Sequence, residues 1–145
     1  MYKRILLPTD GSNASQRAIA AGVDFAKAIG AEVIGLTAVP PFHTFTMDAA
    51  MLEQTKEEYE MASREHAQRL LDDVSNAARD AGVPCTCAHV YSDSPYEAIL
   101  STAREKACDL IVMASHGHKG LKGLLLGSET QKVLVHGSIP VMVHR

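Results

Sequence analysis

The chain has 145 residues, of which 46% are hydrophobic and 21% are charged, the composition of one ordinary globular domain. Its formal net charge of −3 argues against nucleic acid as the main partner, and no stretch approaches the roughly 20 apolar residues of a membrane-spanning helix. Three cysteines, an odd number, and an apolar run before Pro8 that is too short for a secretory signal together predict a reducing, cytoplasmic location.

Strand-like and helix-like patterns alternate in the first part of the chain. Residues 5–7 form a short apolar run that stops at a turn signal over residues 8–11. Ser12 is a helix-capping residue and Gly30 a helix stop, and apolar residues recur between them with helical spacing: Ile19, Val23, Ala26 and Ile29. Residues 32–39 predict a second strand, which a Pro-Pro pair closes.

A long helix is predicted from about Asp48 to Ala81. Its expected apolar face consists of positions that recur every three or four residues: Thr55, Tyr59, Ala62, His66, Leu70, Val74, Ala77 and Ala81. On that face, His66 is expected to be a partly buried histidine with satisfied hydrogen bonds. Because such a helix exceeds the usual length, we expect its first part to be loose or broken.

A third strand is predicted over residues 84–91, and Pro84 indicates that it begins at or near a sheet edge. The next helix begins with Ser94, a proline at the first helical position and Glu97, which together fit a capping box.

The last part of the chain contains two further strands and a short helix. Residues 110–114 are apolar without alternation, which is typical of a parallel strand covered on both faces. A Gly-rich loop over residues 115–127 precedes a short helix over 128–136, for which Ser128 and Gln131 fit a capping box. Residues 141–143 predict the final strand.

The resulting order is βαβαβαβαβ within one domain, residues 1–145. Strands that are separated by helices cannot pair as hairpins. They form a parallel sheet with right-handed crossovers, and here the sheet would have five strands and helices on both faces. The predicted fold class is therefore α/β, with three layers.

Two loops are candidates for a ligand site, because open α/β sheets bind ligands beyond the carboxyl ends of their strands. One loop covers residues 8–12. The other carries Gly117, Gly120, Gly123 and Gly127 and leads into a helix N-terminus, where free N–H groups and a partial positive charge favour an anion such as phosphate. Lys119 and Lys122 would add positive charge there. A flexible connection in front of a helix is the alternative interpretation of the same loop.

The known phosphate-binding signatures are missing from both loops. There is no G-x-x-x-x-G-K-[ST] motif, and no G-x-G-x-x-G motif follows the first strand. A P-loop NTPase and a typical dinucleotide enzyme are therefore not supported.

Three separated segments occur in a fixed order: PTDGS at residues 8–12, MASHGHKG at 113–120 and LLLGS at 124–128. Together with the chain length, the element order and the ending IPVMV, they resemble the universal stress protein family over the whole chain. The resemblance implies a dimeric, cytoplasmic, Rossmann-like domain of the adenine-nucleotide alpha-hydrolase-like type. It also implies roles in stress survival, with ATP bound in many members.

In ATP-binding members the motif is glycine, two residues, glycine, nine residues, glycine and then serine or threonine. The resemblance places its last two glycines on Gly117 and Gly127 and its hydroxyl on Ser128, but its first position is Ala114. If that position required a left-handed conformation, alanine would cost roughly 1–2 kcal/mol. Each charge-assisted hydrogen bond contributes about 1.5–3 kcal/mol, so we expect ATP, with or without Mg²⁺, still to bind.

The resemblance implies further nucleotide contacts. Asp10 would accept a hydrogen bond from adenine or ribose or hold Mg²⁺ through water; the alternative is a turn-forming or helix-capping aspartate. Ala38 and Val39 would offer backbone groups to the adenine edge, and Met113 would pack on the base or else in the core. The complete set implied to bind nucleotide is Pro8, Thr9, Asp10, Ala38, Val39, Met113, Ala114, His116, Gly117, Gly127, Ser128 and Glu129.

The remaining histidines and cysteines give weaker signals. His116 and His118 flank Gly117, but no nearby pattern completes the three or four ligands of a metal site, so no metal is assigned. His116 is expected to lie near phosphate or simply to be exposed. Cys85 and Cys87 share a strand face with Cα atoms roughly 6.5 Å apart, near the upper limit for a disulfide. Both are expected to be buried structural thiols, as is Cys108.

The sequence favours a regulatory module in which ATP orders loop 115–127 and alters partner binding. A nucleotide-independent dimeric scaffold and a slow ATPase are the alternatives. No residue is placed to orient an attacking water, so no catalytic residue is assigned. A homodimer is expected through the apolar last strand, whose edge would otherwise be unpaired.

Overall fold

The structure is a computed structural model that describes residues 1–43, 49–118 and 125–145. Several positions considered above lie outside the described residues: Asp48 at the predicted helix start, and Lys119, Gly120, Lys122, Gly123 and Leu124 in the Gly-rich loop.

Strands and helices alternate throughout the described residues. The strands are β1 (Arg4–Pro8), β2 (Glu32–Val39), β3 (Cys85–Tyr91), β4 (Leu110–Ala114) and β5 (Val141–His144). The helices are α1 (Asn13–Ile29), α2 (Ala49–Ala81), α3 (Pro95–Glu105) and α4 (Ser128–His136). The sheet has the order β3-β2-β1-β4-β5, and each of its pairings is parallel. The predicted five-stranded parallel sheet is confirmed, and β3 is an edge strand, as Pro84 indicated.

The core consists of two layers, one on each face of the sheet. Because successive strand residues point to opposite faces, Ile5 and Leu7 pack with Val23 of α1 and Val74 of α2. Leu6 points the other way, into a cluster to which α3 contributes Ile99, Leu100 and Ala103 and α4 contributes Val133. Helices α1 and α2 therefore cover one face and α3 and α4 the other, which confirms the three-layer prediction.

Helix α1 has the predicted ends. Ser12 is its N-cap, where its hydroxyl accepts a hydrogen bond from the Ser15 N–H at 3.1 Å. Gly30 ends it in the left-handed conformation, at φ 72°.

Helix α2 differs from its prediction in two ways. It is one continuous helix of 33 residues, so the expected break is wrong. Contacts of Tyr59 with the segment after β2 hold its first half: the hydroxyl donates to the Pro40 carbonyl, and the ring packs on Phe42 with centroids 5.7 Å apart. The buried face is also rotated by about one position, and its fully buried members are Ala67, Leu71, Val74 and Ala78. His66 is therefore exposed, not partly buried.

The start of α3 does not contain the predicted capping box. Ser94 is the N-cap, but its side chain makes no capping hydrogen bond. The Tyr96 N–H donates instead to Glu129 Oε2 at 2.8 Å, and Glu97 accepts a hydrogen bond from the Tyr96 hydroxyl. A carboxylate from α4 has replaced the local cap.

The prediction of buried thiols holds only for Cys108, which is 6% exposed. Cys85 is half-buried and Cys87 is exposed. Both lie on β3, and an edge strand has a neighbouring strand on one side only, which leaves its residues less covered than those of the central strands.

Among the described residues, none of the helices combines the length and the apolar composition that crossing a bilayer requires.

Replacing a core leucine tests the two-layer arrangement. Leu36 on β2 is 0% exposed and packs in the cluster beneath α3. We expect Leu36→Ala to lower the free energy of unfolding by about 2–5 kcal/mol, because it removes buried methyl groups and leaves a cavity. Urea denaturation measures the change. The control is Met61→Ala, whose side chain is 64% exposed and whose effect should stay within about 0.5 kcal/mol. Equal effects of the two substitutions would contradict this packing.

Candidate functional site

The central strands β1 and β4 lie side by side, and the chain leaves them in opposite directions. From β1 it runs through α1 to β2 on one side, and from β4 through α4 to β5 on the other. Such a reversal opens a crevice at the carboxyl ends of the two strands. Residues 9–12 and 115–118 lie there, and the Gly127 N–H donates to the Ser115 carbonyl, which brings the start of α4 to the same place.

Hydrogen bonds fix the loop after β1. The Thr9 N–H donates to the Leu36 carbonyl at 2.8 Å, and the Thr37 hydroxyl donates to the Thr9 carbonyl at 2.8 Å. The Thr9 side chain is buried, with its hydroxyl 3.1 Å from the Ser15 hydroxyl and accepting from the Gly11 N–H. Pro8, which ends β1, is half-buried. Thr9 thus contributes rigidity to the crevice, and its side chain is already paired.

Asp10 joins the two loops. Its Oδ1 accepts from the Ser12 N–H at 2.9 Å, and its Oδ2 accepts from the His118 N–H at 3.1 Å. His118 returns a second bond, since its Nε2 lies 2.9 Å from the Asp10 carbonyl oxygen, and an acceptor of that kind requires the ring nitrogen to donate. Asp10 therefore makes the turn contact of its alternative interpretation and also bridges to a residue 108 positions away.

The same hydrogen bonds set the charge of Asp10. Partial desolvation raises the pKa of this carboxyl, but hydrogen bonds from Ser12, His118 and Ser15 outweigh that effect and leave the pKa below its ordinary value. Asp10 is therefore an anion at neutral pH, held at the mouth of the crevice.

Residue 117 must be glycine because the Asp10 carboxylate approaches its backbone closely, and not because of its backbone conformation. Its φ is not positive, but a Cβ at this position would overlap Asp10 Oδ2. Any side chain here would displace the carboxylate and break its bond with the His118 N–H. The glycine of the motif thus allows the two loops to meet.

Ala114 takes the first motif position without strain. Among the described non-glycine residues, Ala107 is the one with a positive φ, so Ala114 is not left-handed. Its methyl group packs with Ala14 and Ala18 of α1, and its carbonyl accepts from the Thr130 hydroxyl at 2.9 Å. The unfavourable case considered from the sequence, a left-handed residue 114, does not apply.

The N-terminus of α4 is open. Its N-cap is Gly127, which has no side chain to accept a hydrogen bond, and its first helical bond runs from the Gln131 N–H to the Gly127 carbonyl at 3.1 Å. The N–H groups of Ser128, Glu129 and Thr130 therefore have no acceptor within the helix. A Cβ at residue 127 would lie 3.0 Å from His116 Cα, so the tight fit of the two loops favours glycine here.

This start differs from the predicted capping box. Ser128 is the first helical residue and not the cap, and the Gln131 amide donates to the Leu126 carbonyl at 2.9 Å. Ser128 is exposed, at the open end of the helix.

Two further predicted residues of this region have partners of their own. His116 is exposed, with Nδ1 3.1 Å from the Ser115 hydroxyl. The Glu129 carboxylate accepts from the Tyr96 N–H and lies 3.4 Å from Lys132 Nζ, so it is directed towards α3 and not into the crevice. The backbone N–H of Glu129, by contrast, belongs to the open helix end.

The strand ends on the other side of β1 supply the remaining predicted contacts. The Leu36 carbonyl faces β1, where Thr9 donates to it, and the Val39 carbonyl faces β3, where the Ser92 N–H donates at 2.8 Å. Because these directions alternate along a strand, the backbone groups of Ala38 face the side of β1, beyond its end at Pro8. Met113 is 7% exposed and packs in the core cluster beneath α3, the alternative considered for it.

Two parts of this arrangement were missed from the sequence. One part is the pair of hydrogen bonds between His118 and Asp10, which the His-Gly-His run does not predict. The second part is the Glu129 carboxylate, which caps α3; the prediction that Glu129 contacts the nucleotide then concerns its backbone N–H. The N-cap Ser94 followed by Pro95 predicts the helix start, but this pattern does not identify the distant carboxylate that accepts from the Tyr96 N–H.

Comparisons with known proteins bear on the family and the fold of the chain. The model of the Universal stress protein family matches residues 1–145. A universal stress protein of Thermus aquaticus is 34% identical over 145 residues, which cover 100% of both chains. The universal stress protein UspA from Lactobacillus plantarum superposes with a TM-score of 0.84 at 26% identity, covering 99% of this chain and 98% of that one. A universal stress protein solved in complex with cAMP superposes with a TM-score of 0.73 at 28% identity, covering 99% and 97%.

The lowered pKa of Asp10 predicts a specific pH dependence of stability. A carboxyl whose pKa is depressed by folding stabilises the folded state above its ordinary pKa, and that contribution is lost as the pH falls through the lowered value. We expect the native chain to be more stable than Asp10→Asn by a constant amount near neutral pH. This advantage should shrink as the pH falls below the ordinary pKa of aspartate and through the lowered pKa of Asp10. Urea denaturation at a series of pH values measures it; a difference independent of pH would contradict the bridge. Asp24→Asn, on the exposed surface of α1, is the control.

Proposed function

The chain belongs to the universal stress protein family, and on that basis we propose that it is a stress-response regulator that binds ATP at the carboxyl end of its sheet. The observation that supports this most directly is the open N-terminus of α4 beside the joined loops after β1 and β4. The site would respond to nucleotide by changing how partners bind.

The phosphates would occupy the end of α4. Unpaired N–H groups and the positive end of the helix dipole favour an anion there, and Gly127 leaves the approach clear. Gly117 and Gly127 would let the phosphates come close to the backbone. Ser128 is exposed at the first helical position, where its hydroxyl would donate to a phosphate oxygen.

The nucleoside would lie along residues 8–10, with adenine at the end of β2. The backbone groups of Ala38 face the space beyond β1, which suits them to pair with the polar edge of adenine. Met113 would line the site from the core side. The relative that was solved with cAMP supports an adenine ligand, although cAMP carries one phosphate and the proposed ligand carries three.

Mg²⁺ would enter with the triphosphate. The described residues contain no group of three His, Cys, Asp or Glu side chains able to hold a metal ion. Asp10 is a single anion near the proposed phosphate site, and one carboxylate acting through water, together with phosphate oxygens, is a usual environment for Mg²⁺. Asp10 is the side chain proposed for that role.

A regulatory role is favoured over hydrolysis, because the two carboxylates described near the crevice already have hydrogen-bond partners. Asp10 bonds to Ser12 and His118, and Glu129 bonds to α3. Neither is poised as a base for an attacking water.

The three unpaired cysteines support a cytoplasmic location.

The protein would act as a homodimer through β5. This strand is an edge of the sheet, and its Met142 is 38% exposed. On the adjacent helix, Leu134 and Val135 are 43% and 75% exposed. Pairing of β5 with its counterpart would close the edge and cover these apolar side chains in an isologous interface.

A nucleotide series tests the phosphate site. We expect affinity for the native chain to rise from AMP through ADP to ATP, because each added phosphate gains charge-assisted hydrogen bonds of about 1.5–3 kcal/mol. Isothermal titration with and without Mg²⁺ measures the affinities. No binding of any nucleotide would refute the proposal in favour of a nucleotide-independent scaffold, and equal affinity for all three would refute the placement of the phosphates.

A charge at the open helix end gives a second test. We expect Ser128→Asp to weaken ATP binding by about tenfold or more, because the new carboxylate repels the phosphates and competes for the N–H groups. The same substitution should not destabilise the fold, since acidic residues are favourable in the first helical turn. Ser138→Asp makes the same change of charge at an exposed position beyond the other end of α4. Similar losses in both variants would mean that net charge, and not the helix end, is responsible.

Restoring the motif glycine tests the conclusion about Ala114. Since residue 114 is not strained and its methyl group packs on α1, we expect Ala114→Gly to change ATP affinity by less than about threefold, well under the 1.4 kcal/mol of a tenfold effect. A tenfold gain in the same titration would show that the alanine obstructs the nucleotide.

For the dimer, we expect light scattering at micromolar concentration to give twice the mass of one chain. Met142→Lys should shift the protein to the monomer mass, because it places a charge in the paired edge. Met61→Lys, on the exposed surface of α2, is the control and should remain dimeric. A native chain with the mass of one copy would contradict the dimer.

A further inference from the structure

Two cysteines are neighbours on the edge strand β3, away from the proposed nucleotide site. Cys85 and Cys87 are two residues apart on β3, so their side chains lie on the same face, which here is covered by α2. Their Sγ atoms are 3.8 Å apart, and neither is in a disulfide. Cys87 is exposed, so reagents in solution can reach it.

The surroundings of Cys87 on balance favour a thiolate: the Leu71 carbonyl oxygen, 3.7 Å from its Sγ, suits the thiol, and the groups that oppose it are more numerous. Its Sγ lies 3.8 Å from Cys85 Sγ and 3.3 Å from the Ser75 hydroxyl. The opposite residue of β2 is Gly35, whose missing side chain makes room for the sulfur: a Cβ there would lie 2.9 Å from it. Hydrogen bonds from Cys85, Ser75 and the Gly35 backbone lower the pKa of Cys87 to about 6, against the opposing effects of desolvation and of Asp72 on α2.

Cys85 has the opposite character. It is half-buried and packs against the core cluster that α1 and α2 form with the sheet. Its hydrogen bond with Cys87 and its burial raise the pKa of Cys85, which keeps it a neutral thiol. The pair thus consists of an exposed thiolate in contact with a protonated thiol, which is the combination of an attacking and a resolving cysteine.

We propose that Cys85 and Cys87 form a peroxide-reactive dithiol that closes reversibly to a disulfide within β3. In the first step the Cys87 thiolate attacks one oxygen of hydrogen peroxide, the O–O bond breaks, and the products are a sulfenic acid on Cys87 and hydroxide. In the second step Cys85 sulfur attacks the Cys87 sulfur, the S–O bond breaks, and water leaves with the Cys85 proton. Two thiols have then lost two electrons to one peroxide.

The geometry allows closure at the cost of strain. A disulfide requires sulfur atoms about 2.05 Å apart, so the pair must approach from 3.8 Å. Cysteines at this spacing on a strand have Cα atoms close to the upper limit for a disulfide, roughly 6.5 Å apart. As an edge strand, β3 has a free outer side and can pucker without breaking a second ladder. Strained, exposed disulfides are easily reduced, so the bond would be labile and reversible.

Mass spectrometry of the full chain tests the proposal. The reduced protein is treated with a small excess of hydrogen peroxide, quenched with catalase and alkylated, and the peptide that contains both cysteines is examined. We expect this peptide to lose two hydrogen atoms and to regain them after treatment with dithiothreitol. Without peroxide, iodoacetamide at pH 7 should alkylate Cys87 at least about tenfold faster than Cys85.

Single substitutions assign the two roles. In Cys85→Ser, peroxide should leave a sulfenic acid on Cys87 that dimedone captures, with no disulfide. In Cys87→Ser, Cys85 should stay unmodified over the same time. Cys108→Ala is the matched control and should behave like the native chain, since burial raises the pKa of Cys108 to about 11. Circular dichroism verifies that each variant is folded.

Three results would overturn the proposal. One is a native peptide that never loses hydrogen while its thiols proceed to sulfinic acid. Another is a disulfide that joins two chains on a non-reducing gel. The third is a Cys87→Ser variant whose Cys85 reacts with peroxide at the native rate of Cys87. The nucleotide series is independent of these outcomes, because Cys85 and Cys87 lie outside the proposed nucleotide site.

Discussion

The contact between the Asp10 carboxylate and the backbone at residues 117–118 is the constraint on which the crevice depends. It ties the loop after β1 to the loop after β4, the two strands between which the sheet reverses. Because the carboxylate occupies the space that a side chain at residue 117 would need, glycine there is a steric requirement. In the loop after β4, the Ser115 carbonyl accepts a hydrogen bond from the Gly127 N–H, and this bond fixes where α4 begins. One contact between two loops thus positions a loop, a glycine and a helix end together.

The two helices that begin near this crevice, α1 and α4, differ in how their N-terminal N–H groups are capped. The Ser12 hydroxyl caps α1 from within, so its N–H groups are partly satisfied. Helix α4 has Gly127 as its N-cap. Its first turn contains Glu129, but that carboxylate accepts a hydrogen bond from the Tyr96 N–H at the start of α3. A negative charge that would ordinarily complement the dipole of α4 is thereby used elsewhere. This difference explains in physical terms why the proposed anion site lies at α4 and not at α1.

The elements and the layer order were predictable from the sequence because local patterns determine them. The bounds of β2, β4 and α4 match the predicted ones, and Gly30 ends α1 as expected. The errors arose where a distant residue decides. Which face of α2 is buried depends on how the helix lies on the sheet. His66 is therefore exposed and not partly buried as predicted, and its neighbour Ala67 is the buried residue. The cap of α3 comes from Glu129, 33 residues away, and the partner of Asp10 is 108 residues away. Helical spacing and capping motifs carry no information over such separations.

The two edges of the sheet differ in a way that bears on both proposals. A parallel sheet leaves one edge on β3 and one on β5, and an unpaired edge invites association with another chain. On β5 the exposed Met142 points to the sheet face that α1 and α2 cover, since its partner on β4 is Val112, and pairing would cover this apolar side chain. On β3 the exposed residues are Thr86, Cys87 and Tyr91, the last 41% exposed, so pairing there would cover one aromatic ring beside polar side chains. An intrastrand disulfide would pucker β3 and make it a poorer template for a second strand. The proposed oxidation and the proposed dimer therefore use opposite edges, and oxidation of β3 would leave pairing through β5 intact.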